Sequence, residues 1–70
     1  MQIKRLLEGR PFSPQEVEVL SSAFEAALQE LHIVDRTDPA VELVARRIIN
    51  VAVRGERDPV RLREAGVKGI

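Results

Sequence analysis

Hydrophobic residues recur at helical spacing between positions 17 and 31 of the chain. At 100° per residue they fall within an arc of about 100°, and polar residues fill the opposite side, as in an amphipathic helix with one buried face. This pattern predicts a helix over residues 14–31 that packs on the core from one side. Its apolar stripe consists of Val17, Leu20, Phe24, Ala27, Leu28 and Leu31.

Three independent signals mark the start of this helix. Ser13 can accept a hydrogen bond from the backbone of Glu16, whose side chain can return to the Ser13 N–H, which is a capping box. Pro14 suits the first helical position, where its missing N–H costs nothing. Phe12 and Val17 have the spacing of a hydrophobic staple.

The end of the helix carries no glycine. We expect His32 to take the left-handed capping position, because His enters that region more readily than most other side chains. A metal or catalytic role for His32 is disfavoured, because it is the chain's single His and has no partner ligand set.

A second helix is predicted over residues 39–54, with Asp38 as N-cap, Pro39 at the first helical position and Gly55 after the end. Its apolar residues cover an arc of about 160°, so this helix is expected to form the centre of the core. They are Val41, Val44, Ala45, Ile48, Ile49, Val51 and Ala52.

The other side of the second helix is the candidate partner surface. It consists of Leu43, Arg46, Arg47, Asn50 and Arg54. Leu43 lies among basic residues and needs a covering segment or a partner to hide it.

A second Asp-Pro start, at Asp58 and Pro59, predicts a short third helix over residues 59–65 that stops at Gly66. The tail, residues 67–70, is expected to be frayed.

At the N-terminus, residues 2–8 suit a short helix or an extended arm almost equally, since so brief a segment depends on what it docks against. The sequence therefore predicts one all-α domain over residues 1–70, a small bundle of three to four helices with residues 1–10 as a docking arm.

Composition narrows the chemistry that the chain can perform. It contains no Cys, one His, no Tyr and no Trp, which excludes thiolate catalysis, disulfides and cysteine-ligated zinc. The segment 35–38 lacks the alternating oxygen ligands and the central Gly of an EF-hand loop. We therefore expect no cofactor, no metal and no enzymatic activity. Without a secretory or membrane-spanning segment, a cytoplasmic location is the default expectation.

Charge is distributed unevenly although the net charge is zero. Residues 1–35 carry three cations against six carboxylates, whereas residues 36–70 carry eight against five. The two halves can face each other across the fold or across a homodimer, which we favour over a basic surface for an acidic partner.

Nucleic-acid binding by the Arg-rich second half is the alternative function. A helix, a Gly-containing turn and another helix occur there. A recognition helix over residues 59–65 would be barely two turns long and would carry Glu64. Zero net charge also weakens the electrostatic attraction to phosphates.

Four segments resemble a family of small bacterial all-helical proteins of unknown function. The segments are Phe12-Ser13-Pro14-Gln15-Glu16, Ala23-Phe24-Glu25-Ala26, Glu42-Leu43-Val44-Ala45 and Gly55-Glu56-Arg57-Asp58-Pro59. The resemblance covers roughly residues 10–65 and implies a small stand-alone protein without an assigned activity, cofactor or functional residue.

The function expected from the sequence is a non-enzymatic protein–protein interaction or regulatory module. Two broad apolar helix faces supply more apolar surface than one short third helix readily covers, so we expect a homodimer as well as an unidentified protein partner.

Overall fold

Four helices form the structure, a computed structural model that describes residues 3–68. They are α1 (Ile3–Leu7), α2 (Pro14–Glu30), α3 (Pro39–Val53) and α4 (Pro59–Val67). The described residues contain no strand. The prediction of a small all-α bundle is confirmed, and the segment that suited either a helix or an arm contains the helix α1.

The caps of α2 form as predicted. The Ser13 hydroxyl accepts from the Glu16 N–H at 3.1 Å, and the Ser13 N–H donates to the Glu16 carboxylate at 2.8 Å. At the other end His32 has φ 58°, and the N–H groups of His32 and Ile33 donate to Gln29 and Leu28. This is the Schellman arrangement, here with His in the position that Gly usually takes.

The core lies between α2, α3 and α4, which all contact one another, and α1 packs on α2 and α3. The helix α3 contributes the largest share of buried residues, in agreement with its broad apolar arc, while α1 covers one side with Ile3 and Leu7. The buried apolar residues are Ile3, Leu7, Leu20, Ala23, Phe24, Ala27, Leu28, Val41, Val44, Ala45, Ile48, Ile49, Ala52 and Leu62.

The end of α4 differs from the prediction. The helix continues past Gly66 to Val67, which packs against the core, so the predicted stop at Gly66 is wrong. A Cβ at Gly66 would lie 3.0 Å from the Ile48 Cδ1 atom and 3.1 Å from a Val44 methyl group. Gly66 is therefore a site where α4 approaches α3 closely, which explains why a helix breaker lies inside the helix. Residues 69 and 70 of the predicted frayed tail lie outside the described residues.

Gly66→Ala is expected to lower the free energy of unfolding by about 1 kcal/mol, because overpacking outweighs the gain in helix propensity. Urea unfolding followed by circular dichroism measures the change. The control is the same substitution in an Ile48→Val background, which removes the crowded Cδ1 atom. There Gly66→Ala should cost less, although the close Cγ1 atoms of Val44 and of residue 48 remain, and equal losses in both backgrounds would contradict the assignment.

Candidate functional site

The outer face of α3 carries all five residues of the candidate partner surface. Leu43 remains 43% exposed, so no segment of the described chain covers it fully. Arg46 donates to the Glu42 carboxylate through Nε and Nη2, at 3.0 and 2.7 Å, and this exposed i,i+4 pair neutralises it. Arg47 and Arg54 have no ion pair within residues 3–68.

A groove of about 240 Å³ runs between α3 and α4 beside this face. Val51 and Ala65 contribute its apolar lining. Its polar lining residues, which we call the basic groove set, are Arg47, Asn50, Arg54 and Lys68. The groove thus brings together three of the five sequence-predicted surface residues and adds Lys68, which sequence reasoning missed because it assigned residue 68 to the tail.

The remaining two surface residues, Arg46 and Leu43, do not line this groove. Arg46 lines a smaller groove of about 110 Å³ together with Leu6, Arg10, Ile49 and Asn50, so Asn50 borders both grooves. Arg10 donates to the Leu6 carbonyl at 3.0 Å, close to the end of α1. Leu43 lines neither groove.

Pairing within the fold separates the basic groove set from the other cations of the second half. Each of those others lies between 2.6 and 3.9 Å from a carboxylate oxygen. They are Arg36, Arg46, Arg57, Arg61 and Arg63. Among the Arg and Lys side chains of residues 36–68, only the three that line the groove lack an ion pair within the described residues. These are Arg47, Arg54 and Lys68, so positive charge is concentrated in the groove.

Arg57 joins the Gly-Glu-Arg-Asp-Pro turn to the start of α2. Its Nε atom donates to the Glu16 carboxylate at 2.6 Å, and its guanidinium lies 5.2 Å from the centre of the Phe12 ring. Its Nη1 atom donates to the carbonyls of Ala52 at 2.6 Å and Glu56 at 2.8 Å. These contacts hold the Gly-Glu-Arg-Asp-Pro turn against the start of α2 and the end of α3.

The Glu16 carboxylate is stabilised as the anion. The Ser13 N–H and, after it, the Arg57 guanidinium hold the pKa of the Glu16 carboxyl below its ordinary value. Its contribution to folding stability is therefore present above the ordinary pKa and is lost as the pH falls through the lowered one.

Candidate metal ligands do not come together within residues 3–68. That part of the chain holds no group of three His, Cys, Asp or Glu side chains that could bind a metal ion. Asp35 accepts from the N–H and hydroxyl of Thr37, and Asp38 caps α3 by accepting from the Ala40 N–H. Both carboxylates therefore serve the loop and the cap, as the sequence indicates.

No helix within residues 3–68 is long and apolar enough to cross a membrane. Comparison of the chain with protein-family models, with curated proteins and with solved structures found no match. The feature of the molecule that bears on function is the outer face of α3 with the groove beside it.

Arg57→Lys is expected to lower the free energy of unfolding by about 1–2 kcal/mol, because Lys cannot bind the carboxylate, the carbonyls and the Phe12 ring together. Thermal or urea unfolding checks this. Arg46→Lys is the matched control, since its solvent-exposed pair with Glu42 should contribute no more than about 0.5 kcal/mol. Equal effects of the two substitutions would show that Arg57 is an ordinary surface cation.

Proposed function

We propose that the chain is a cytoplasmic, non-enzymatic interaction module that binds an acidic partner protein through the outer face of α3 and the end of α4. The observation that carries this proposal is the convergence of Arg47, Arg54 and Lys68 on one groove without an ion pair among the described residues. Cations that converge in a concave surface raise the local potential and attract an anionic partner.

An apolar residue beside these cations favours a protein as the partner. Leu43 is an exposed large hydrophobic residue one helical turn before Arg47. Binding would bury it against apolar side chains while acidic residues of the partner pair with Arg47 and Arg54. Such a combination of apolar and charged contacts is typical of protein interfaces.

Nucleic acid fits this surface less well. Arg47 and Arg54 are seven residues apart on α3, which spans about 10 Å and allows contact with few phosphates. The two aromatic residues are not free for base stacking, because Phe24 is buried and Phe12 lies beneath Arg57.

Affinity capture from a nuclease-treated native lysate tests the proposal. The wild-type chain and an Arg5→Gln control should recover the same partner, whereas the Arg47→Gln, Arg54→Gln double variant should lose most of it. Arg5 is a fair control because it is exposed on α1 and has no ion pair within the described residues. Recovery that is insensitive to the double substitution, or that disappears with nuclease, would contradict the proposal.

Self-association is a second proposal and requires a different face. Two α3 faces related by a twofold axis would place Arg47 and Arg54 against like charges, which opposes pairing. A mainly apolar cleft between α2 and α4, with half-exposed Val60 beside Ala23, Ala26 and Pro59, reduces this penalty. The cation in its lining, Arg63, lies 3.6 Å from the Glu30 carboxylate, which compensates its charge.

Sedimentation equilibrium at micromolar concentration is expected to give twice the chain mass of 7.8 kDa. The Arg47→Gln, Arg54→Gln variant should give the same mass, because the dimer does not use the α3 face. A species of 7.8 kDa for the wild-type chain would show that the homodimer prediction is wrong.

A further inference from the structure

The α3–α4 groove has the properties of a site for one anionic group. Its lining contains three cations and the Asn50 amide but no carboxylate. Arg47 lies on α3, Arg54 directly follows α3 and Lys68 directly follows α4, so two segments of the chain supply the cations. Its volume of about 240 Å³ suits a small polar group more than an extended ligand.

Arg47, one of the lining cations, also has a donor atom without a hydrogen-bond partner. The Nε atom of Arg47 is buried and has no hydrogen-bond partner among the described residues. A buried polar atom without a partner is costly, and a charged one more so. Arg63 Nε is in a similar position, but the Glu30 carboxylate lies 3.6 Å away and compensates its charge. Arg47 has no such neighbour within residues 3–68.

The charge of the groove favours a dianion over a carboxylate. A single carboxylate would compensate one cation of three, whereas a phosphoryl group carries nearly two charges at neutral pH and three acceptor oxygens. Arg is well suited to such a group because its planar fork matches phosphate oxygens.

We propose that the α3–α4 groove binds a phosphoryl group carried by a phosphorylated Ser or Thr side chain of the partner protein. The inference rests on the proposed interaction function and names the group that the partner presents. Arg47 and Arg54 donate to the phosphoryl oxygens from α3 while Lys68 approaches from the end of α4. Leu43 lies outside the groove and contacts the apolar part of the partner.

Titration of the ¹⁵N-labelled chain with N-acetyl-phosphoserine amide, followed by heteronuclear NMR, tests the inference. Saturable shifts are expected for the backbone amides of residues 47–54 and 65–68. N-acetyl-glutamate amide should bind roughly tenfold more weakly, since it offers fewer charges and acceptors. Shifts that sodium chloride reproduces at equal ionic strength would overturn the inference.

Inorganic phosphate provides the arm that distinguishes the source of the anion. Binding of phosphoserine amide at least as tight as that of phosphate supports a site for a phosphorylated side chain. A tenfold preference for inorganic phosphate would mean a site for a free anion and would overturn the inference.

Substitutions at exposed groove cations locate the site. Arg54→Gln and Lys68→Gln should each weaken phosphoserine binding by roughly fivefold to tenfold, because each removes a charge-assisted contact. The controls Arg5→Gln and Arg61→Gln should leave it unchanged, and the dispersion of the NMR spectrum verifies that each variant is folded. Equal weakening in the controls and the groove variants would show unspecific attraction and would sink the assignment.

Failure of this inference can be told from failure of the proposed function. If phosphoserine does not bind while capture of the partner still depends on Arg47 and Arg54, the surface binds a partner through carboxylates and the phosphoryl assignment is wrong. If phosphoserine binds in the groove but capture does not depend on these residues, the site stands and the proposed partner surface is wrong.

Discussion

The contacts of Arg57 connect three helix ends and determine where α4 can lie. One guanidinium binds the Glu16 carboxylate at the start of α2 and the Ala52 carbonyl near the end of α3. The next residue, Asp58, caps α4 by accepting from the Val60 N–H at 2.9 Å. Because the start of α4 is held there, the helix leaves the turn beside both α2 and α3 and closes the core with Leu62.

The position of α4 in turn creates the groove. Gly66 has no side chain, so the last turn of α4 approaches Ile48 and Val44 closely. Lys68 follows that turn directly and thereby reaches the groove that Arg47 and Arg54 line from α3. A side chain at position 66 would push this end of α4 away from α3, so the close approach is a condition for the cluster of cations as well as for the core.

Local signals made most of the fold predictable, and non-local contacts account for what was missed. The capping box of Ser13 and the left-handed His32 depend on neighbouring residues, and both could be inferred from the sequence. The role of Gly66 depends on α3 side chains about twenty positions earlier in the chain, and that of Arg57 on Glu16. Helix spacing does not reveal such pairs. Lys68, the site residue that the sequence did not predict, lies three positions after Ala65, which is a helical spacing, but Gly66 predicted that the helix would end before it.

Net charge conceals the property of the surface that matters for binding. The chain is neutral overall because its carboxylates and cations balance, and the structure pairs most of those cations with a nearby carboxylate. The cations beside α3 that have no ion pair within the described residues form a small positive groove near Leu43, and the proposed partner would meet this groove. The groove is partly exposed, so its attraction weakens as salt screens it over about 10 Å at 0.1 M. In the proposed complex, charge would therefore supply selectivity, and the apolar contact at Leu43, which salt does not screen, would supply affinity.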